Sequence, residues 1–174
     1  MIVLKLISKL IKALRSNASP VQLACGFVLG MILGMTPLWN FHNLIIVILI
    51  VILNVNISMA VLAFMVFSLF AYLLDPFFHT AGYWLLVDVG WLRPVWEFVS
   101  QAPILAYFRL NNTVVLGSLV ISLLLTLPVF LFMKWFVVVY RERLEERVKK
   151  LRIVQALTGS KLYSWFERIQ KLGE

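Results

Sequence analysis

Between Ser16 and Leu74 the chain contains no Lys, Arg, Asp or Glu. A soluble domain cannot hide so long a stretch from water, whereas a bilayer demands it, since a charge at its centre costs on the order of 3 kcal/mol or more. Charge is scarce throughout: 14% of residues are charged against 62% hydrophobic, and mean hydropathy is +0.95, far outside the soluble range. Cysteine is nearly absent too. The single Cys25 excludes an internal disulfide and reads as a small buried residue. No cleaved leader is expected, because Lys5, Lys9 and Lys12 interrupt any apolar h-region. Histidine is limited to His42 and His79, too few for a metal cluster. No nucleophile–base pair, carboxylate dyad or cofactor loop is present, so the expectation is a non-enzyme with no cofactor and no metal. At 174 residues the chain is one small integral membrane unit, without room for a separate soluble enzyme domain.

The charges that do occur are unevenly placed. Residues 1–19 carry Lys5, Lys9, Lys12 and Arg15 with no acid, and residues 134–174 carry ten bases against five acids. Between them, residues 75–112 hold Arg93 and Arg109 against Asp75, Asp88 and Glu97. Basic ends around a slightly acidic middle follow the positive-inside pattern, placing both termini in the cytoplasm and residues 75–112 on the other side. The interleaved acids of the tail argue against nucleic acid as a partner.

The expected fold is all-α: a polytopic integral membrane protein with amphipathic interfacial helices at both cytoplasmic ends. Residues 1–19 form the first of these, with Lys5, Lys9 and Lys12 on one face toward anionic headgroups. Ser19-Pro20 then gives a cap and a first-turn proline. The uncharged core, residues 20–74, divides at Thr36-Pro37 and at Asn54-Val55-Asn56. The pieces 20–36 and 38–53 are about 25 Å long as helices, short of the roughly 30 Å hydrocarbon core. They form either a Gly/Pro-interrupted re-entrant hairpin or a short transmembrane pair. The piece 57–74 is a span that stops at Asp75-Pro76. Residues 75–112, rich in Trp and Phe, form one or two short helices at the periplasmic interface. Residues 113–139 form the last span, and residues 140–174 form basic amphipathic helices with Lys161, Arg168 and Lys171 on the charged face.

Several residues stand out as candidates. Gly26, Gly30 and Gly34, spaced four apart, let another backbone approach one side of a helix, either within the chain or from a partner. Thr36, Pro37, Asn40, His42 and Asn43 make the break polar and are the candidate hairpin and substrate-facing set. His42 reads either as a packed interfacial histidine or as a headgroup or proton site. His79 reads as a helix-start residue, and Asp75 as a helix stop that pairs with Arg109 across the outer helix ends. Asn54, Asn56, Asn111 and Asn112 read as helix caps.

The run Ala24-Cys25-Gly26-Phe27-x-x-Gly30-x-x-x-Gly34-x-Thr36-Pro37, followed by His42-Asn43-Leu44 and Asn54-x-Asn56, resembles a bacterial family. It is similar to domain-of-unknown-function family two thousand and sixty-two, small inner-membrane proteins with this glycine–proline core, here over about residues 18–80. The whole chain, including Asp75-Pro76-Phe77-Phe78-His79, Asn111-Asn112-Thr113 and Tyr140-Arg141-Glu142-Arg143, is similar to a branch of it found in bacteria with an outer membrane. That branch is often one of a two-gene pair. The resemblance implies a multi-pass protein of the inner membrane, with the phospholipid bilayer and a larger envelope protein as partners. It implies a non-catalytic subunit that anchors a periplasm-reaching partner, with lipid as the ligand and a port for inter-membrane lipid transport as the role. The alternative is a small transporter or lipid flippase acting as a homo-oligomer.

Overall fold

Ser19 opens the first long helix by a capping box. Its hydroxyl accepts from the Gln22 N–H at 3.1 Å, and the Gln22 side chain accepts from the Ser19 N–H at 2.8 Å. Pro20 takes the first helical position, where a missing N–H costs nothing. The structure is a computed structural model describing residues 10, 11, 13, 14 and 16–144. Its helices are α1 (Pro20–Met35), α2 (Phe41–Ile52), α3 (Ile57–Tyr83), α4 (Arg93–Gln101), α5 (Pro103–Ala106) and α6 (Thr113–Val139). A π-helical turn, Trp84–Asp88, prolongs α3, another, Tyr140–Leu144, prolongs α6, and a 3-10 turn, Gly90–Leu92, precedes α4. No strand occurs among the described residues. Leu10, Ile11, Ala13 and Leu14 are helical ahead of α1. Lys5, Lys9 and Lys12, and the tail with Lys161, Arg168 and Lys171, lie outside the described residues.

Helices α1, α3 and α6 pack together as a bundle, and α2 leans against α1. The glycine series forms the first seam. A Cβ on Gly26 would lie 2.5 Å from the Asn56 carbonyl oxygen, one on Gly34 would lie 2.8 Å from that of Phe64, and one on Gly30 would collide with that of Ala60. Both helices advance by four residues per contact, so α1 and α3 run parallel with their backbones touching. The neighbour that these glycines admit is therefore the chain's own third helix. A second seam joins α3 to α6, where Gly82 lies on Thr113 and Gly117 on Phe78, so these two run antiparallel.

Helix α2 turns back beside α1. The Asn56 N–H donates to the Gln22 carbonyl at 3.2 Å, and Gln22 Nε2 donates to the Asn54 carbonyl at 3.2 Å. The end of α2 thus lies where α1 begins. Asn54 makes this corner at φ 49°, a left-handed conformation that Asn tolerates. Asn56 then caps α3 by accepting from the Met59 N–H at 2.9 Å, and Asn112 caps α6 through Val114 and Val115.

Two apolar clusters fill the bundle. One gathers Leu14, Leu23, Met59, Leu62, Met133 and Val137 near the start of α1, and the other gathers Val28, Met31, Met35, Ile46 and Phe78. Ile57–Asp88 and Thr113–Glu142 are long and apolar enough to cross a membrane, whereas α1 and α2 are shorter apolar helices. Cys25 is half-buried.

The stop expected at Asp75-Pro76 is absent. Helix α3 runs through Pro76 to Tyr83, so the boundary between residues 74 and 75 is not a helix end, and His79 sits inside the helix rather than at its start. An interior proline costs about 3 kcal/mol by itself. Packing offsets it: Phe78 is buried with its carbonyl against Gly117, Gly82 lies on Thr113, and His79 Nδ1 is 2.7 Å from Thr113 Oγ1. Asp75 is exposed mid-helix, Arg109 is exposed in the connection before α6 at φ 52°, and no hydrogen bond joins them among the described residues.

Because the seams leave no room for a methyl group, Gly30→Ala and Gly117→Ala should each lower stability by about 1–3 kcal/mol, the range of overpacked cores. Thermal unfolding in detergent measures this, with Gly90→Ala, which meets open space, as the unaffected control.

Candidate functional site

The break between α1 and α2 starts with a proline constraint. Pro37 disfavours a helical conformation for Thr36, which is extended at φ −98° and ψ 147°. The chain then turns, and neighbouring side chains meet its carbonyls. Asn40 Nδ2 and Asn43 Nδ2 each donate to the Pro37 carbonyl at 2.8 Å, and Asn43 Nδ2 also reaches the Leu38 carbonyl at 3.3 Å. The Thr36 hydroxyl lies 2.8 Å from the Ile32 carbonyl and 2.7 Å from Asn43 Oδ1, so its one proton serves either acceptor in turn. The structure thus brings Thr36, Pro37, Asn40 and Asn43 into one hydrogen-bonded turn. Phe41 ties it to the segment before α6: its N–H points to the Tyr107 carbonyl at 3.4 Å, and its ring meets Phe108 edge-on at 5.1 Å.

Polarity around the turn is inverted relative to a water-facing helix. Thr36, Asn40, His42 and Asn43 are buried, while Leu44, Val47, Ile48, Val51 and Ile52 on α2 are exposed. A groove of about 610 Å³ lies between α2 and α3. Leu33, Leu44, Val47, Val61 and Phe64 line its length, and Asn40 and Asn43 supply polar groups where α2 begins. Trp39, 90% exposed, stands at the rim.

Not every polar atom is accounted for. Asn40 Oδ1 and both ring nitrogens of His42 are buried and have no hydrogen-bond partner. The Asn40 amide cannot be reversed to relieve this, because Nδ2 is held by the Pro37 carbonyl. His42 shares its side of α2 with Ile46, which packs into the core with Met35 and Phe78. Among the described residues no three His, Cys, Asp or Glu side chains gather where they could hold a metal ion.

Two structural features escaped sequence reasoning. Gly82 and Gly117 form a seam as close as that of the glycine series; the signal was Gly117-Ser118-x-x-x-Ser122, small residues in an apolar helix, with both serines buried. The second is Arg141. Its Nε donates to the Leu14 carbonyl at 3.0 Å, and its Nη2 donates to those of Ser16 and Ala18 at 2.8 and 2.9 Å. An Arg just past an apolar span is visible in the sequence, but carbonyls more than a hundred residues away are not.

A family model described as an uncharacterized protein conserved in bacteria (DUF2062) matches residues 5–146, a range that holds both seams, the turn and Arg141. No curated protein and no solved structure matches the chain.

The turn's hydrogen bonds make a direct prediction. Thr36→Val keeps the shape but strands Asn43 Oδ1, and it should cost about 1–3 kcal/mol in thermal unfolding in detergent, the penalty of a buried unsatisfied group. Thr36→Ser, which keeps the hydroxyl, should recover most of the loss.

Proposed function

Because the chain belongs to this bacterial family, whose model covers most of its length, we propose that it is a non-catalytic subunit of the bacterial inner membrane. In this role it docks a larger partner that reaches through the envelope, and it forms the port through which lipid enters that partner. Helices α3 and α6 are the two spans, and α1–α2 is a re-entrant hairpin. Both termini face the cytoplasm, as the basic ends favour.

The observation that carries this proposal is the inverted polarity of the hairpin turn. Apolar side chains point outward from α2 and polar ones inward, the arrangement suited to a lipid solvent. Depth points the same way. Ile57 to Pro76 spans about 30 Å of helix, one hydrocarbon thickness, and Gly34 meets α3 near its middle, at Phe64 and Ser68. A turn at that depth has no water for its backbone, so Thr36, Asn40 and Asn43 supply the hydrogen bonds, the condition for irregular backbone within a membrane. Those side chains are thereby committed to structure, which favours a non-catalytic role. The groove beside α2 has the volume typical of small-ligand sites, roughly 300–1,000 Å³, and an aliphatic lining suited to an acyl chain. Trp91 and Phe98, both exposed, offer an aromatic outer surface to a partner. The alternative, a homo-oligomeric transporter or flippase, is favoured by one feature: interrupted helices meeting at mid-depth are a recurrent design of transporter sites.

Three measurements test the proposal. In a Cys25→Ala background, Trp39→Cys should resist a membrane-impermeant maleimide in intact cells while Trp91→Cys reacts; labelling of both would mean that α1 and α2 cross the membrane separately. A photo-activatable side chain at Val47 should cross-link to phospholipid. Purification from native membranes should recover a stoichiometric envelope partner, whereas a homo-oligomer alone would favour the transporter.

A further inference from the structure

The groove beside α2 runs along only part of the bundle. Its lining extends from Ile57 to Phe64 on α3, about 10 Å of helix, and from Phe41 to Ile50 on α2, about 14 Å. One leaflet supplies about 15 Å of hydrocarbon, so the groove is one leaflet deep. Its deep end lies at the turn, where Leu38, Trp39 and Phe41 line it, and Phe41 is held there by the Phe108 ring and the Tyr107 carbonyl. Helix α3 continues past Phe64 to Tyr83 without contributing to the lining. The other end is the corner between α2 and α3. Ile57, which lines the groove, follows Asn56, whose N–H donates to the Gln22 carbonyl at the start of α1. Asn56 Nδ2 also donates to Ser16 Oγ at 3.5 Å, and the Ser16 carbonyl accepts from Arg141 Nη2 at 2.8 Å. The mouth therefore opens near a guanidinium.

These dimensions and charges select the occupant. A partner's spanning helix needs a seat of about 30 Å, and the groove offers less than half of that. A polar peptide finds little to bind: apart from Asn40 and Asn43 the lining is aliphatic or aromatic, and both amide Nδ2 groups are spent on the Pro37 carbonyl. The acyl chain of a lipid in one leaflet matches both the length and the lining. Its headgroup then stays at the corner, near Arg141. Three carbonyls satisfy the donors of that side chain but bring no charge to neutralise it. Lys134 is exposed at the same end of α6, next to Met133, which packs with Met59. The acid described at this end is Glu142, and residues 1–74 contain none. The excess of positive charge favours an anionic headgroup.

We propose that the groove takes an acyl chain of an anionic phospholipid drawn from the cytoplasmic leaflet, with its tail toward the turn and its headgroup at the corner near Arg141. The assignment rests on the re-entrant hairpin and the lipid port proposed above, and it adds the leaflet from which lipid is taken and the charge of its headgroup. Lipid of the periplasmic leaflet lies on the far side of the turn from this groove.

The test uses the full-length protein with a benzophenone side chain at Val47, in inner-membrane vesicles of both orientations. Alkyne-tagged phosphatidylglycerol is delivered by cyclodextrin to the outward-facing leaflet, and the vesicles are irradiated on ice before the lipid crosses the bilayer. Inverted vesicles, whose outward-facing leaflet is the cytoplasmic one, should give at least fivefold more tagged adduct than right-side-out vesicles. In inverted vesicles phosphatidylglycerol should give at least threefold more adduct than tagged phosphatidylcholine with the same chains. Val61→Trp fills the groove from α3 and should lower the Val47 adduct at least fivefold, while a benzophenone at Leu131, exposed on α6 outside the groove, labels as before. Equal adduct from the two orientations, or more from right-side-out vesicles, would overturn the leaflet; equal adduct from the two lipids would overturn the headgroup charge. An undiminished adduct in Val61→Trp would overturn the groove as the binding place. Should that variant not fold, the comparison of orientations on the Val47 protein decides alone. Absence of any adduct at Val47 in either orientation would remove the port as well, whereas equal capture from both leaves the port standing and removes only the leaflet assignment.

Discussion

Where Gly30 lies on Ala60, Gly82 on Thr113 and Gly117 on Phe78, helix backbones touch with no side chain between them. These contacts make α3 a post shared by two neighbours, one parallel and one antiparallel. Such seams leave no side chain to bury between the helices, so close approach and dispersion contact carry the association. The α1–α3 seam also sets a height. It holds Gly34 against Phe64 and Ser68 while α3 runs on for about 20 Å to Tyr83, so the turn after α1 is kept well short of the bundle's far end.

The turn at that height follows a strict accounting of backbone groups. Pro37 ends the helix, its carbonyl takes two amide donors, and Thr36 links Ile32 to Asn43. The side chains that make a short hairpin tolerable are the same ones that give the region its polar look in sequence. Once their structural duties are subtracted, Asn40 Oδ1 and the His42 ring remain.

Much of this was legible because it is local. The four-residue spacing of Gly26, Gly30 and Gly34, the Ser19-Pro20 start, the Asn56 and Asn112 caps and the helix over 113–139 all depend on neighbours in sequence, and the structure has them. The boundary at Asp75-Pro76 misled because proline's cost is local while its compensation, from Gly117 and Thr113, arrives from a distant helix. His42 was visible as a histidine among asparagines; that both its nitrogens lack partners depends on how α2 leans against the bundle, which spacing does not encode.

Arg141 bears on the order in which the chain can be completed. The carbonyls of Leu14, Ser16 and Ala18, at the approach to α1, receive their donors from a residue that a ribosome makes more than 120 positions later. The segment before α1 is therefore secured by a residue just past α6. A chain truncated before residue 141 would retain the residues of the glycine seams yet lack this latch. One guanidinium thus ties the earliest described segment of the chain to the end of α6 through three carbonyls.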